Sequence, residues 1–338
     1  MKSINLMSIL LTGLVVLGLI SCKKTETVDP MYYSNNTTGP VTSTIQSFFE
    51  SQKEESQLFT INASQYQFIS GEKGMQFYFN PNSFKDVNGH IVQGDVEIEL
   101  IEILSKSEMI KSNKPTNYIG DSNDPTDDNL LVSGGEFYLN ATKNGQQLTL
   151  NQPIYARIPT DNPSYDMQLF SGATSDSVGV EWSSIDSSNV TVTTDSTGSG
   201  NGNGYTPPFW YEFSFDQFGW INCDYFLRPG NNQGPMVDLQ VFLNDLDSMN
   251  YWNTTVFMAI QSVNSVARMN SVGGGNFGFQ FTNIPVGTSV DILAMSEING
   301  NYYYSIGNAV LSVNDPHIEN LQMQPISLAQ LTAIINNL

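Results

Sequence analysis

"DVEIEL", residues 95–100, alternates an acid with an aliphatic residue at every step. In an extended chain successive side chains point to opposite faces, so Val96, Ile98 and Leu100 share one face and Asp95, Glu97 and Glu99 the other. A helix would scatter these six around its axis. A strand with one buried and one wet face sorts them, and the same period of two recurs on both sides of the stretch. "MQFYF" offers Met75, Phe77 and Phe79, while "EFYLN" at 136–140 and "YARIP" at 155–159 continue the pattern with Asn-Gly and Gly-Gly turn signals between. Short alternating runs parted by turns predict a β-sandwich.

The C-terminal part repeats the style. "VDLQVFL", "TTVFMAI", "NFGFQFT", "VDILAMS" and "NYYYSI" are strand-like runs separated by Gly, Asn and Pro signals. Two segments break the period. "TSTIQSFFESQKEES" places Ile45, Phe48, Phe49 and Gln52 on one side of a short helix, predicted to pack on the end of the first sandwich. "ISLAQLTAIINNL" offers Ser327 as a cap and a stripe of Leu328, Leu331, Ile335 and Leu338. The predicted fold class is all-β: two antiparallel β-sandwich domains with a short N-terminal and a C-terminal helix. Residues 183–208, "SSIDSSNVTVTTDSTGSGNGNGYTPP", are rich in Ser, Thr, Gly and Asn, which bury too little apolar area to offset the entropy of ordering. They read as a flexible linker between domains at 44–182 and 209–338, the alternative being that "NVTVTT" pairs as an edge strand.

The first residues set the expected compartment. Lys2 is followed by the apolar run "LMSILLTGLVVLGLI", the charged-then-apolar layout of an export signal. The run ends in Leu19-Ile20-Ser21-Cys22, which resembles a bacterial lipobox, so residues 1–21 are expected to be a lipoprotein signal peptide and Cys22 the lipidated residue. Several acyl chains would then hold residues 22–43, a polar tether, on a bilayer. Lys23 and Lys24 stand where inner-membrane retention typically uses Asp, so the outer membrane is the expected site, possession of a lipid anchor making the membrane itself a partner. The chain has 13 basic and 33 acidic residues and a net charge of −20, which repels phosphate backbones and excludes nucleic acid as a partner. With Cys22 lipidated, Cys223 alone remains and no internal disulfide is expected.

Residues 69–116, with "LLVSGGEFYLNAT" at 130–142, resemble the ZU-type β-sandwich of ankyrins and netrin receptors as it occurs in lipoproteins of Bacteroidetes-type bacteria. The matching positions are Gly74, Pro81, Ser83-Phe84, Asp86 with Asn88-Gly89, Gly94 and Ser133-Gly134-Gly135, with "MQLFSG" and Trp182 fitting the domain's end. "GWINCDYF" at 219–226 looks like the opening of a second domain, and "GNFGFQFTNIPVGTSVDILAM" is similar to carboxypeptidase-regulatory-type sandwiches. The resemblance implies a fold, an envelope location and an interaction module, with no catalytic residues to carry over.

Candidate chemistry is sparse. A catalytic thiol at Cys223 needs a base, and the only histidines, His90 and His317, follow turn signals elsewhere. If "WINCDYF" is a strand, Ile221, Cys223 and Tyr225 share one face and Asn222 and Asp224 the other, the setting of an inert core cysteine. "GGGNFG" at 273–278 matches the dinucleotide fingerprint formally, but a strand and not a helix follows it, so it reads as a hairpin loop. The loop "GDSNDPTDDN" carries Asp121, Asp124, Asp127 and Asp128, hard oxygen ligands of the kind Ca²⁺ takes, although Pro125 and the lack of a closing Glu depart from the helix-loop-helix pattern. No cofactor is otherwise expected. For glycan stacking the candidates are Trp252, Tyr302 and Tyr303. Ser177, Ser196 and Ser248, each after an Asp, resemble the three-residue O-glycosylation site of the same bacterial group. The expectation is a non-enzymatic envelope lipoprotein that binds an envelope protein as a scaffolding or adhesion module, the alternative being a glycan-binding accessory of a polysaccharide uptake system.

Overall fold

The alternation at 95–100 becomes the strand Asp95–Ile103, with Val96, Ile98 and Leu100 buried and Asp95 and Glu97 exposed. The structure, a computed structural model, describes residues 44–119, 130–175, 179–185, 189–194, 209–228, 234–244, 253–272, 278–313 and 316–338. The fold class is all-β with three short helices. In sheet I the order across the sheet is Gln57–Asn62, Asp95–Ile103, Leu131–Lys143, Gly219–Phe226, Gln168–Ser175 and Gly179–Ser184, with Gln146–Gln147 paired to the long third strand. Sheet II runs Thr191–Thr194, Phe209–Phe215, Ile154–Thr160, Gln76–Phe79 and Gln67–Ser70. Sheet III runs Asn270–Val272, Gly278–Pro285, Met236–Asn244 and His317–Gln322; sheet IV runs Val266–Arg268, Thr254–Ile260, Ser289–Ile298, Asn301–Val310 and Gln324–Ile326.

Three apolar clusters hold the sheets together. Between sheets I and II lie Phe77, Phe79, Ile98, Leu100, Phe137, Phe213 and Cys223; between III and IV lie Leu239, Val241, Val256, Phe279, Ile284 and Ile292. The third cluster is the joint. It brings together Phe48 and Phe49 from α1 (Ile45–Gln52), Ile103 from sheet I, Met109 and Ile110 from α2 (Lys106–Lys111), Phe257 and Leu293 from sheet IV, and Leu331 and Ile335 from α3 (Leu328–Ile335). Both α2 and α3 start with reciprocal capping boxes, Ser105 with Glu108 and Ser327 with Gln330, which supply partners to N–H groups that short helices otherwise leave bare.

Four expectations are corrected. The strands Phe209–Phe215 and Gly219–Phe226 do not open a second domain: the first pairs with Ile154–Thr160 in sheet II, the second lies between Leu131–Lys143 and Gln168–Ser175 in sheet I. The boundary at 183–208 is therefore misplaced, since both strands beyond it complete the first pair of sheets. Within that segment Thr191–Thr194 is an edge strand on Phe209–Phe215, because its Thr and Val residues pair well even where flanking composition is polar. The sheets are antiparallel except where Met236–Asn244 runs parallel to His317–Gln322. Finally, α1 packs on sheet IV, with Phe49 edge-on to Phe257 at 6.2 Å and Phe48 edge-on to Tyr302 at 6.0 Å.

The two sheet pairs are stitched by polar contacts as well. Thr116 donates its N–H to the Val266 carbonyl at 2.7 Å, Asn117 and Arg268 exchange bonds of 2.8 and 2.9 Å, and Asn264 donates to the carbonyls of Leu104 and Ser133. Residues 42–338 form one compact unit. A fragment ending at residue 208 lacks an interior strand of both sheets I and II. It is expected to show no cooperative thermal transition by circular dichroism, whereas residues 44–338 show one; a cooperatively folding 44–208 fragment would refute this assignment of strands.

Candidate functional site: an open aromatic face and a buried carboxyl pair

Sheet II has one face on the core and the other open. Alternation sends Phe77, Phe79, Ala156, Ile158, Tyr211 and Phe213 inward, and the intervening residues outward. On the outward face Phe68, Tyr78, Tyr155 and Ser214 stand in direct cross-strand register. The ring of Phe68 is stacked on Tyr78 at 5.8 Å and 20°, Tyr78 lies 5.4 Å from Tyr155, and Tyr66 joins the row at 6.5 Å from Tyr78. Phe68 is 59% and Tyr66 57% exposed, so the row presents its rings to solvent.

Beside the row is a polar set. Arg157 lies 4.3 Å over the Trp210 ring and pairs with Glu212 at 2.9 Å; Thr193 donates to the same carboxylate at 2.6 Å. Burial alone would raise the Glu212 carboxyl, but bonds from Thr193, Tyr155 and Arg157 hold it below its ordinary range. Burial first, then the bond to Glu212, pushes the Tyr155 hydroxyl up, so it stays a donor. The Tyr78 hydroxyl donates to Gln76 Oε1 at 2.6 Å.

The outer face of sheet I is covered over its middle strands instead. Glu136 and Asp224, which the alternation turns away from the core between sheets I and II, are both fully buried there. A bulge offsets the strands: Asn222 faces Glu136, but two residues on Asp224 faces Ser133. It is built at Gly134 and Gly135, where Gly135 has φ of +143° and a Cβ on Gly134 would lie 2.6 Å from the Tyr211 ring. Asn222 donates to Asp224 Oδ2 at 2.6 Å and accepts from Ser133 Oγ at 3.0 Å. Among the described residues, Asp224 Oδ1 and both Glu136 oxygens have no hydrogen-bond partner. Burial, and secondarily Asp224, raises the Glu136 carboxyl well above its usual range; Asp224 is likewise raised by burial against bonds from Ser133, Asn222 and the Gly134 N–H. Glu102 shows the contrast, since its buried carboxylate accepts from Lys73 N, Met75 N and Gln57 Nε2.

Above this layer, α1 and the residues after α2 bound a cleft of about 610 Å³ with Glu50, Lys53, Glu54, Glu99, Lys114 and Trp220 on its walls. The Lys114 amine sits 5.0 Å over Trp220, and burial lowers its proton affinity. Most charges at this end are internally matched, with Lys53 on Glu50 at 2.6 Å and Lys73 on Glu54 at 2.7 Å and Glu108 at 2.8 Å.

Cys223 lies in the core of the first sheet pair with Ile221, and Tyr225 packs against it, the face expected from the alternation but in the other sheet pair. Burial, then Asp224, pushes the thiol well up, away from the reactive thiolate. His90 is paired with Asp86 in its turn. His317 accepts from the Ser312 N–H, lies 3.3 Å from Ser312 Oγ and 2.9 Å from Glu319 Oε1, an arrangement sequence reading missed. Ser312, His317 and Glu319 lie within eight residues of sequence, and none of them bounds the 610 Å³ cleft. The imidazole ties Ser312 to the strand His317–Gln322, with the Ser312 backbone N–H as one of its donors.

Of the stacking candidates, Tyr302 and Tyr303 leave opposite faces of one strand, Tyr302 towards the α1 cluster and Tyr303 towards the core of sheets III and IV, so they do not form a common platform. Trp252, the loop acids Asp121, Asp124, Asp127 and Asp128, the glycosylation candidates Ser177, Ser196 and Ser248, and Cys22 lie outside the described residues, as does "GGGNFG" up to Phe277. Among the described residues no group of three or more His, Cys, Asp or Glu is placed to hold a metal, and no helix is long and apolar enough to cross a membrane. Comparison with protein-family models, with curated proteins and with solved structures returns no match.

Two outcomes follow from the buried groups. Carboxyls raised in the folded state contribute stability below the unfolded value near ~4 and lose it as pH rises through the folded value. The melting temperature is therefore expected to fall from pH 5 to pH 8, and Glu136→Gln to shrink that difference; an unchanged difference refutes the role of Glu136. Cys223→Ser is expected to cost about 1–3 kcal/mol in denaturant unfolding, a hydroxyl replacing a buried thiol, and the native thiol to react with a thiol reagent only on unfolding.

Proposed function

We propose that the chain is a non-enzymatic cell-envelope lipoprotein, held on the outer membrane through Cys22, whose joined sheet pairs serve as a rigid binding and scaffolding module. The observation that carries this reading is the open face of sheet II, where the rings of Tyr66, Phe68 and Tyr155 each pack on Tyr78 and two of the four are more than half exposed. Exposed aromatic groupings of this kind are the usual anchors of recognition, because a ring buries a large area on contact while giving up little rotamer freedom. The lipobox-like end and the resemblance to ZU-type and regulatory-type sandwiches support the envelope setting and the interaction role. A lipid anchor would confine the module to a surface, so that modest contacts on one face gain from local concentration.

The reading is tested in whole cells. Cys22→Ser is expected to move the protein from the membrane pellet to the soluble fraction and to abolish labelling by radioactive palmitate. Affinity capture of the native lipoprotein from intact envelopes is expected to recover a ligand that is lost with Phe68→Ala plus Tyr78→Ala while the variant keeps its melting temperature within a few degrees. Persistence of the same capture in that variant would remove the sheet II face from the proposal.

A further inference from the structure

We infer that the open face of sheet II is a binding site for an uncharged polysaccharide, laid across the strands along the row Phe68–Tyr78–Tyr155. This rests on the binding-module reading and assigns its ligand class and its residues. The geometry is the first ground. Three rings in cross-strand register, 5.8 and 5.4 Å apart and inclined by 20° and 49° to one another, make an unbroken aromatic row whose long axis crosses the strands, with Tyr66 beside the middle ring. Strand spacing fixes that axis, since neighbouring strands lie about 4.8 Å apart. A pyranose ring offers a flat C–H surface to such a row and its hydroxyls to the sides, so an extended chain of sugars can follow the row with one ring after another against aromatic carbon.

Charge is the second ground. The chain carries −20, yet among the described outward residues of the sheet II strands only Arg157 and Glu212 are ionised, and they are paired with each other at 2.9 Å. A face kept neutral on a strongly acidic protein complements an uncharged polymer; anionic glycans would meet the field of the whole molecule and find no free cation on this face. The polar flank is the third. Tyr78 Oη is turned onto Gln76 Oε1, leaving the Gln76 amide N–H groups without a partner among the described residues, and Tyr155, Ser214, Glu212 and Thr193 line the far side. Hydroxyl-rich ligands need such donors and acceptors beside the aromatic row to fix register, as small numbers of placed polar groups do in other ligand sites.

The test is affinity electrophoresis of the full chain through gels containing hydroxyethyl cellulose, xylan, glucomannan or soluble starch, with alginate and polygalacturonate as anionic arms. At least one neutral glycan is expected to retard the protein, and Phe68→Ala or Tyr78→Ala to weaken that retardation at least tenfold. Tyr165→Ala, 78% exposed and outside the sheet II strands, is the control and is expected to leave it unchanged. Retardation by none of the neutral glycans, retardation by the anionic arms alone, or retardation that survives Phe68→Ala plus Tyr78→Ala each overturns the assignment. If envelope capture succeeds through this face while every glycan fails, the ligand is a protein: the binding module stands and the polysaccharide does not.

Discussion

Sheet I must be covered on both faces, and the rest of the molecule is arranged by that requirement. Its inner face meets sheet II in the usual manner of a sandwich. Its outer face carries Ile101, Ile103, Phe170, Val180, Trp182 and Trp220, too much apolar surface to leave in water. Part is covered by α2 and the residues that follow it, locked by Trp182 Nε1 on the Pro115 carbonyl at 2.8 Å. The remainder is covered through the joint with α1, α3 and sheet IV. The sandwiches thus share a wall's worth of contacts, and the short helices fill the joint between the two sheet pairs.

This arrangement explains which parts of the fold could be read from the chain. Val96, Ile98 and Leu100 announced their strand, and Ser327 with Leu331 and Ile335 announced the last helix, because local period and capping chemistry decide both. "GWINCDYF" misled for a definite reason. Its alternation correctly put Ile221 and Cys223 in a core, but the pattern is silent about which strands flank it, and pairing between residues some ninety apart in sequence leaves no local mark. The burial of Glu136, Asn222 and Asp224 leaves no local mark either: alternation turns them away from one core, and only the layer beyond that face makes them buried. The aromatic row was hidden in the same sense. Tyr66 with Phe68, Tyr78 and Tyr155 come from three separate stretches and become neighbours only through register.

The two outer faces make a useful opposition. On sheet I, polar groups sit under cover and some oxygens lack partners, a state that persists only because the surrounding packing is strong. On sheet II, apolar rings sit in the open, a state that favours contact with something else. Charge follows the same division: acids and lysines crowd the cleft near α1, whereas the aromatic face keeps a single matched pair. Rigidity of the shared wall then serves the open face, because strands held from behind present their rings at fixed spacing.

The position of Gly219–Phe226 also bears on how the chain is made. Both of its neighbours, Leu131–Lys143 and Gln168–Ser175, emerge from the ribosome before it does. During synthesis these two can zip onto each other and close the slot that the later strand has to enter, giving a sheet with its centre missing and its cysteine-bearing strand stranded outside. Reaching the native order from that pairing would mean reopening a formed ladder, with the unpaired strand exposed to self-association until the ladder opened.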